Sequence, residues 1–351
     1  MDTMTGLQPP LAPLYQPNER FEISAAGLDD WQRSESFKRT TVFYLSYPAR
    51  SLLSHASRAV LHHLIVMKRP RLALEIGTYQ AGTSEVMARA LWEAGQGHLE
   101  TIDPYGAERC PPIIAALPPE LQQRISFSPV TSALHFDQAM SRGALYDLVF
   151  IDGNHEFEFA RFDLECAARL MRPGGIIVLD NVSQSGPRLA TKLFLESNPD
   201  WRDIADVVRW INPDDPMASP IPSVGRTDFY LIEAPPHHVV GGVPRSFGSV
   251  ACDRAEVDGI DLDLAAPARG TLHLQVYART FGMQEPEELQ AQQHFALDRA
   301  AGPVRLPLDR PLRTAVHTEG LPRRVEIVLA FTGDGGLALR SPPMPYPARH
   351  I

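Results

Sequence analysis

Four short apolar runs, each closing on an acid, constrain this chain more than any other feature. Leu72 to Ile76, Leu99 to Ile102, Leu148 to Ile151 and Ile176 to Leu179 carry Glu75, Asp103, Asp152 and Asp180 at or beside their carboxyl ends. A fifth run, Ile125 to Val130, lies between the second and third of these. Runs of this length, apolar on both faces, are strands of a parallel sheet buried on both sides. Helical periodicity at Leu52 to Met67, Ser84 to Glu93 and Phe157 to Met171 supplies the covering layers. The pattern predicts an α/β fold with a doubly wound sheet and helices on both faces. A helix from Pro187 to Glu196, a mixed segment from Trp201 to Ile211, a proline-rich loop from Pro213 to Pro222 and a strand from Phe229 to Ile232 complete it.

Beyond a boundary near Pro235 to Phe247 the period changes. Ile260, Leu262 and Leu264 alternate with Asp261 and Asp263; Leu272, Leu274 and Val276 with His273, Gln275 and Tyr277; Val325, Ile327 and Leu329 with Glu326. Alternation of this kind marks antiparallel strands with one buried face. The expected organisation is an N-terminal arm or cap over residues 1–50, the α/β domain over 51–240, and a C-terminal antiparallel β-sandwich-like module over 248–351.

The charge and cysteines narrow the partners. A net charge of −9 disfavours sequence-independent binding of nucleic-acid phosphates. Cys110, Cys166 and Cys252 form no paired motif, so reduced thiols and no zinc site are expected, as in a cytoplasmic protein. Neither a secretory leader nor an apolar run of the ~18 residues a membrane span needs is visible, so no membrane partner is expected. A homo-oligomer remains open.

Ligands of open parallel sheets sit beyond the carboxyl ends of the strands. The dinucleotide fingerprint fails there, because its second glycine would fall at Tyr79, and no Gly-Lys-Ser/Thr follows for a Walker loop. Glu75 suits a cationic ligand better than a pyrophosphate. Asp103 is placed to accept the hydroxyls of a ribose, and Gly77 and Gly82 let the backbone come close to it. Asp152 and Asp180 close strands expected to be neighbours, ~4.8 Å apart, and so aim two carboxylates at one point. A divalent cation would relieve their repulsion, with the Asn181 amide oxygen as a third hard ligand; Mg²⁺ prefers such oxygen sets. The plainer alternatives are a tight turn at Asp152-Gly153-Asn154, a helix cap at Asp180-Asn181 and a loop-stabilising role for His155.

Glu75-x-Gly77, Asp103, the run Tyr146 to His155 and the run Arg172 to Asn181 together resemble a class I S-adenosylmethionine-dependent methyltransferase. Within that superfamily the chain is similar to metal-dependent O-methyltransferases, the catechol O-methyltransferase-like enzymes and the bacterial sugar and natural-product enzymes, over roughly Arg71 to Ile232. The resemblance implies a Rossmann-like sheet. It also implies a cofactor site of Glu75, Gly77, Thr78, Gly82, Ser84, Asp103, Ser132 and Asp152. Glu75, Gly77 and Thr78 would lie at the methionine end, Asp103 at the ribose and Ser132 near the adenine. Asp152, Asp180 and Asn181 would hold Mg²⁺ or a similar divalent cation. The partner is then a small-molecule or glycan hydroxyl acceptor, and by the same resemblance the N-terminal arm, with Tyr15, Phe21, Trp31 and Tyr44, would close over the acceptor pocket. Two departures stand out: Ala81 occupies a position where most members have glycine, and His155 stands where catechol-type relatives have lysine. A histidine titrates nearer neutrality, so His155 is the expected general base.

Two other readings compete. Transfer without a metal would use His155 alone as base. A degenerate domain would bind a glycan or partner through the β module and would not take up S-adenosylmethionine. Other residues read as structural or solvent-exposed: His62-His63 and His237-His238, whose adjacent side chains cannot face one point; Tyr79, Trp92 and Phe150 read as packing, with Tyr79 in the glycine loop also within reach of the ligand. Arg161, Asp163 and Glu165 read as the solvated face of one helix. Gln184 to Gly186 read as a turn or part of the acceptor pocket. Tyr277, Phe281 and Phe295 read as core of the β module.

Overall fold

The computed structural model describes residues 9–45, 47–48, 50–206, 227–252, 256–280, 288–313, 323–340 and 343–347. The proline-rich loop expected at 213–222 and Phe281 lie outside these residues. Two N-terminal helices, α1 (Ala25–Gln32) and α2 (Glu35–Tyr44), each start on a serine whose hydroxyl accepts an amide of the first turn. The alternating unit follows: α3 (His55–Lys68), β1 (Leu72–Ile76), α4 (Gly82–Glu93), β2 (His98–Ile102), α5 (Cys110–Ala115), α6 (Pro119–Gln122), β3 (Ile125–Ser128), α7 (Ser132–Ser141), β4 (Tyr146–Ile151), α8 (Phe157–Arg169), β5 (Met171–Leu179), α9 (Ser185–Ser197), β6 (Arg202–Asp206) and β7 (Tyr230–Glu233). These strands form one sheet in the order β3-β2-β1-β4-β5-β7-β6. The first five are parallel, and β7 runs antiparallel to both its neighbours. Met171, expected at the end of a helix, instead begins β5, because α8 closes at Leu170 and Tyr146 pairs with Met171.

Alternate residues of each strand feed two cores. Ala73, Leu99, Phe150 and Val178 face α3 and α4, whereas Leu74, Ile102, Val149 and Ile177 face α7, α8 and α9. Such double coverage explains why the strands read as continuous apolar runs. The N-terminal arm belongs to the first core. Trp31 stacks on His63 at 4.0 Å between ring centres, Tyr15 shares a hydrogen bond with His63 Nδ1 at 2.9 Å, and Tyr44 shares one with His62 Nδ1 at 2.7 Å. Tyr15, Trp31 and Tyr44 are therefore buried against α3, as wall rather than flap. His62 and His63 turn out to be their anchors.

The remaining strands are β8 (His238–Val240), β9 (Arg245–Cys252), β10 (Glu256–Leu264), β11 (Ala268–Thr280), β12 (Glu288–Arg299), β13 (Gly302–Arg313), β14 (Arg323–Gly333), β15 (Leu337–Leu339) and β16 (Met344–Pro347). One sheet runs β13-β10-β15-β8 with β16 also on β10, and the other runs β12-β11-β14-β9, both antiparallel. Ile260, Leu262, Leu264, Leu272, Leu274 and Ile327 fill the space between them, which makes a sandwich. Among the described residues no helix is long and apolar enough to cross a membrane.

Candidate active site

The chain order reverses beside β1, whose neighbours are β2 and β4, so the loops after β1 and β4 diverge and leave a crevice at the carboxyl edge. Gly77 opens the first loop at φ +101, and a Cβ there would overlap the carbonyl oxygen of Asp152. That contact brings the ends of β1 and β4 together. Tyr79 and Ala81 follow in the left-handed region at φ 45 and 52, so Ala81 holds the backbone shape a glycine would hold. Gly82 answers to a different neighbour: a Cβ there would run into the backbone at Arg50 and Ser51, the segment leading into α3.

Beneath this loop lies Glu75, fully buried. Its Oε2 accepts hydrogen bonds from Ser84 and from Thr101, the latter at 2.5 Å, while Oε1 has no partner among the described residues. Thr78, also buried, shares a hydrogen bond with the Thr101 hydroxyl at 2.6 Å, and its amide donates to the Ile102 carbonyl. Burial pushes the Glu75 carboxyl up to about 8. The folded protein therefore holds a proton that the unfolded chain releases near 4.5, and stability falls as pH rises from there through about 8. Glu75→Gln is expected to flatten that slope, visible as a loss of a few degrees of pH-dependent change in Tm between about pH 5 and about pH 9. A slope unchanged in the variant would assign it to other groups.

Asp103 sits at the end of β2 with its carboxylate largely occupied. Oδ2 accepts from the Tyr79 amide at 2.9 Å and from Arg109 Nη2 at 3.1 Å, and Oδ1 accepts from the Tyr105 amide at 2.8 Å. Arg109, which sequence reasoning missed, also lies over the Tyr79 ring at 5.0 Å and donates to the Tyr79 carbonyl. No motif marks such an arginine, since it reaches the site from the first turn before α5. Ser132 is the first residue of α7, after a Thr131 cap.

On the other side of β1, Asp152 and Asp180 follow the adjacent strands β4 and β5. Asp180 is buried, and its carboxyl is held well above the usual range by that burial and by the negative charge of Asp152. Burial raises Asp152 as well, opposed by His155, whose Nε2 stands 3.4 Å from Asp152 Oδ1. The other ring nitrogen, Nδ1, is 3.3 Å from the Gln184 amide. Neither plainer account covers these acids. Asn154, not Asp152, closes the local turn by accepting the Glu156 amide, and the cap of α9 is Gln184. Asn181 stands at φ 56 beside Asp180. Asp228, whose carboxylate is bonded to the amide and hydroxyl of Ser183, adds a third negative charge near Asp180. No group of three His, Cys, Asp or Glu among the described residues has the geometry of a metal cluster.

Residues 74–182 match the model of a family described as a methyltransferase domain. That stretch, under a third of the chain, is similar to a methyltransferase domain. Among solved structures, the chain is similar to the O-methyltransferase TomG from Streptomyces achromogenes, involved in tomaymycin synthesis and bound to S-adenosylmethionine. The identity is 22%, over 58% of this chain and 91% of that one, with a TM-score of 0.39. It is also similar to an O-methyltransferase from Bacillus cereus in complex with S-adenosylhomocysteine, at 19% identity over 59% and 96% of the two chains and a TM-score of 0.39. No curated protein matches the chain.

The strand-end acids all lie at one edge of the sheet, away from a large cleft. That cleft, about 670 Å³, runs between α8 and α9 on one side and the β8–β9 turn on the other, lined by Arg161, Trp201, His238 and Arg245. None of the strand-end acids borders it. One of the residues expected on a solvated helix face is also elsewhere. Arg161 and Glu165 pair on the outside of α8 at 2.7 Å, yet Asp163 is only 4% exposed. Two residues along a helix is a rotation of ~200°, so Asp163 points the opposite way, with Ala160, Leu164 and Ala167.

Proposed function

We propose that this protein transfers a methyl group from S-adenosylmethionine to a hydroxyl oxygen of a small molecule, with Mg²⁺ or a similar divalent cation held by Asp152, Asp180 and Asn181. One observation carries this reading: two carboxylates at the ends of adjacent strands, both pushed upward, with only one imidazole between them and neutrality. Crowded like charges of this kind are relieved by a cation, and hard oxygen donors suit a hard one. The residues toward the cofactor fit as well. Glu75 keeps an unpaired oxygen beneath the loop, and Gly77 draws that loop tight against the end of β4. When bound, the sulfonium supplies the methyl group and the cation lowers the pKa of the acceptor hydroxyl.

The chain's own residues do the rest. Asp152 Oδ1 accepts from His155 Nε2–H, which makes Nδ1 the basic nitrogen, and Gln184 covers that nitrogen until an acceptor hydroxyl replaces it. His155 then takes the hydroxyl proton at Nδ1, the arrangement in which a carboxylate fixes the imidazole tautomer. Asp103, with a lone pair to spare on Oδ1, accepts a ribose hydroxyl. His155→Ala is expected to lower turnover about a hundredfold or more with little change in cofactor binding. Retention of most activity in that variant would remove His155 as the base.

A screen of hydroxyl acceptors with a labelled methyl donor, with Mg²⁺ and with chelator, tests the whole proposal. Equal transfer in both conditions would favour the metal-free reading, in which the Asp152–His155 pair acts alone. Calorimetry with S-adenosylhomocysteine separates either enzyme from a degenerate binding domain, which would give no heat.

A further inference from the structure

Asp152 and Asp180 each continue a strand, their amides bonded to the Ile76 carbonyl at 2.9 Å and the Ile151 carbonyl at 3.0 Å. Asn181 lies one residue beyond, and it takes φ 56, a left-handed conformation that disfavours any residue with a side chain. Such a conformation persists only where its surroundings hold it. Part of the support is local, since the Gln184 amide closes a turn on the Asn181 carbonyl at 2.9 Å. The rest comes from Asp228, distant in the chain. Its Oδ1 accepts from the Ser183 amide at 2.7 Å, its Oδ2 from the Ser183 hydroxyl at 2.6 Å, and its backbone carbonyl from the Val182 amide at 3.1 Å. Asp228 is itself firmly seated. β7 runs antiparallel to β5 with Tyr230 opposite Leu179, which carries Asp228 alongside the residues that follow Leu179. Its neighbours Thr227 and Phe229 are buried, and Phe229 packs edge-on against Phe150 of β4 at 5.5 Å between ring centres.

We propose that Asp228 is a positioning residue for the cation site, gripping Ser183 so that the backbone of Asn181 keeps its left-handed shape; this rests on the reading that Asp152, Asp180 and Asn181 hold a divalent cation. Three hydrogen bonds from one residue to two consecutive ones leave the turn from Asn181 to Gln184 little freedom. Each carboxylate oxygen of Asp228 is engaged with Ser183, so the residue acts through the loop and touches no reacting atom. Its value to the ion is preorganisation. A site whose Asn181 holds the competent conformation only part of the time binds more weakly by that fraction.

The test titrates Mn²⁺ into wild type, Asp228→Ala, Asp228→Asn and Ser183→Ala, reading the free ion by electron paramagnetic resonance, with calorimetry of S-adenosylhomocysteine on the same samples. Asp228→Ala is expected to bind Mn²⁺ about tenfold more weakly, the turn being competent about a tenth as often. Its affinity for S-adenosylhomocysteine should stay within about twofold of wild type, because the loops after β1, β2 and β3 are untouched. Asp228→Asn should keep Mn²⁺ affinity within about threefold: its amide oxygen accepts from the Ser183 amide, and its NH₂ donates to the Ser183 hydroxyl oxygen. Ser183→Ala loses one of the three bonds and should bind Mn²⁺ about threefold more weakly; it decides the matter alone if Asp228→Ala does not fold. Mn²⁺ affinity of wild-type strength in Asp228→Ala overturns the proposal. So does a loss in Asp228→Asn as large as in Asp228→Ala, which would assign the effect to charge, or an equal loss of Mn²⁺ and nucleoside binding, which would make Asp228 a general support of the fold. Wild-type protein that binds S-adenosylhomocysteine but no Mn²⁺ overturns the cation reading itself, and this proposal falls with it.

Discussion

Asp180→Ala is expected to lower methyl transfer at least about a hundredfold while S-adenosylhomocysteine still binds within about threefold of wild type. Asp180 follows β5, one strand beyond Asp152, whereas Gly77, Asp103 and Ser132 lie on the β1, β2 and β3 side of the crevice. Removing it takes away one of two crowded carboxylates without touching the cofactor loops. The same substitution relieves repulsion between buried like charges, so the melting temperature should hold or rise even as activity disappears. A fall in activity matched by a rise in stability distinguishes a functional acid from a structural one. Turnover with and without Mg²⁺, calorimetry and a melting curve on the same sample decide it. Asp180→Ala that keeps full activity would remove the cation from the chemistry.

Gly77→Ala is expected to destabilise the domain by about 3 kcal/mol or more and to abolish cofactor binding. Two independent penalties act at that position. Its φ of +101 is a backbone conformation that L side chains rarely adopt, and the added Cβ would overlap the Asp152 carbonyl oxygen. The strand ends cannot spread to relieve it, because the Asp152 amide is bonded to the Ile76 carbonyl at 2.9 Å and the Gly77 amide to that of Ile102 at 3.0 Å. Denaturant midpoints read the stability, and calorimetry reads the binding. Wild-type stability in the Gly77→Ala variant would mean the loop is less constrained than these contacts require. Ala81 offers the contrast: it is also left-handed, but its methyl is already accommodated in the core.

Much of this architecture is legible from residue order, because burial on both faces writes itself into a strand as an unbroken apolar run. The run Leu72 to Ile76 matches β1 to the residue, and the four acids stand at the carboxyl edge where the apolar runs place them. The differences have a common cause. Met171, an apolar residue, fits a helical or a strand period alike, and only pairing with Tyr146 assigns it to β5. Asp163 groups with Arg161 and Glu165 by charge, which alone suggests solvent, although helical rotation places it inward. The N-terminal aromatics are expected over the substrate, yet Tyr15, Trp31 and Tyr44 pack on the histidines of α3. Arg109, Gln184 and Asp228 carry no local signature of their roles.

By itself the amino-acid order determined the layered α/β sheet, the antiparallel sheets that follow it and the placing of acids at the carboxyl edge. These follow from hydrophobic period and from the fixed spacing of parallel strands. Tertiary structure alone decided which groups meet: that Glu75 lies sealed under the loop, that His155 stands between Asp152 and Gln184, and that Arg109 reaches Asp103. Such meetings depend on the packing of segments distant in the chain, and a hydrogen bond leaves no periodic trace in the residues that make it.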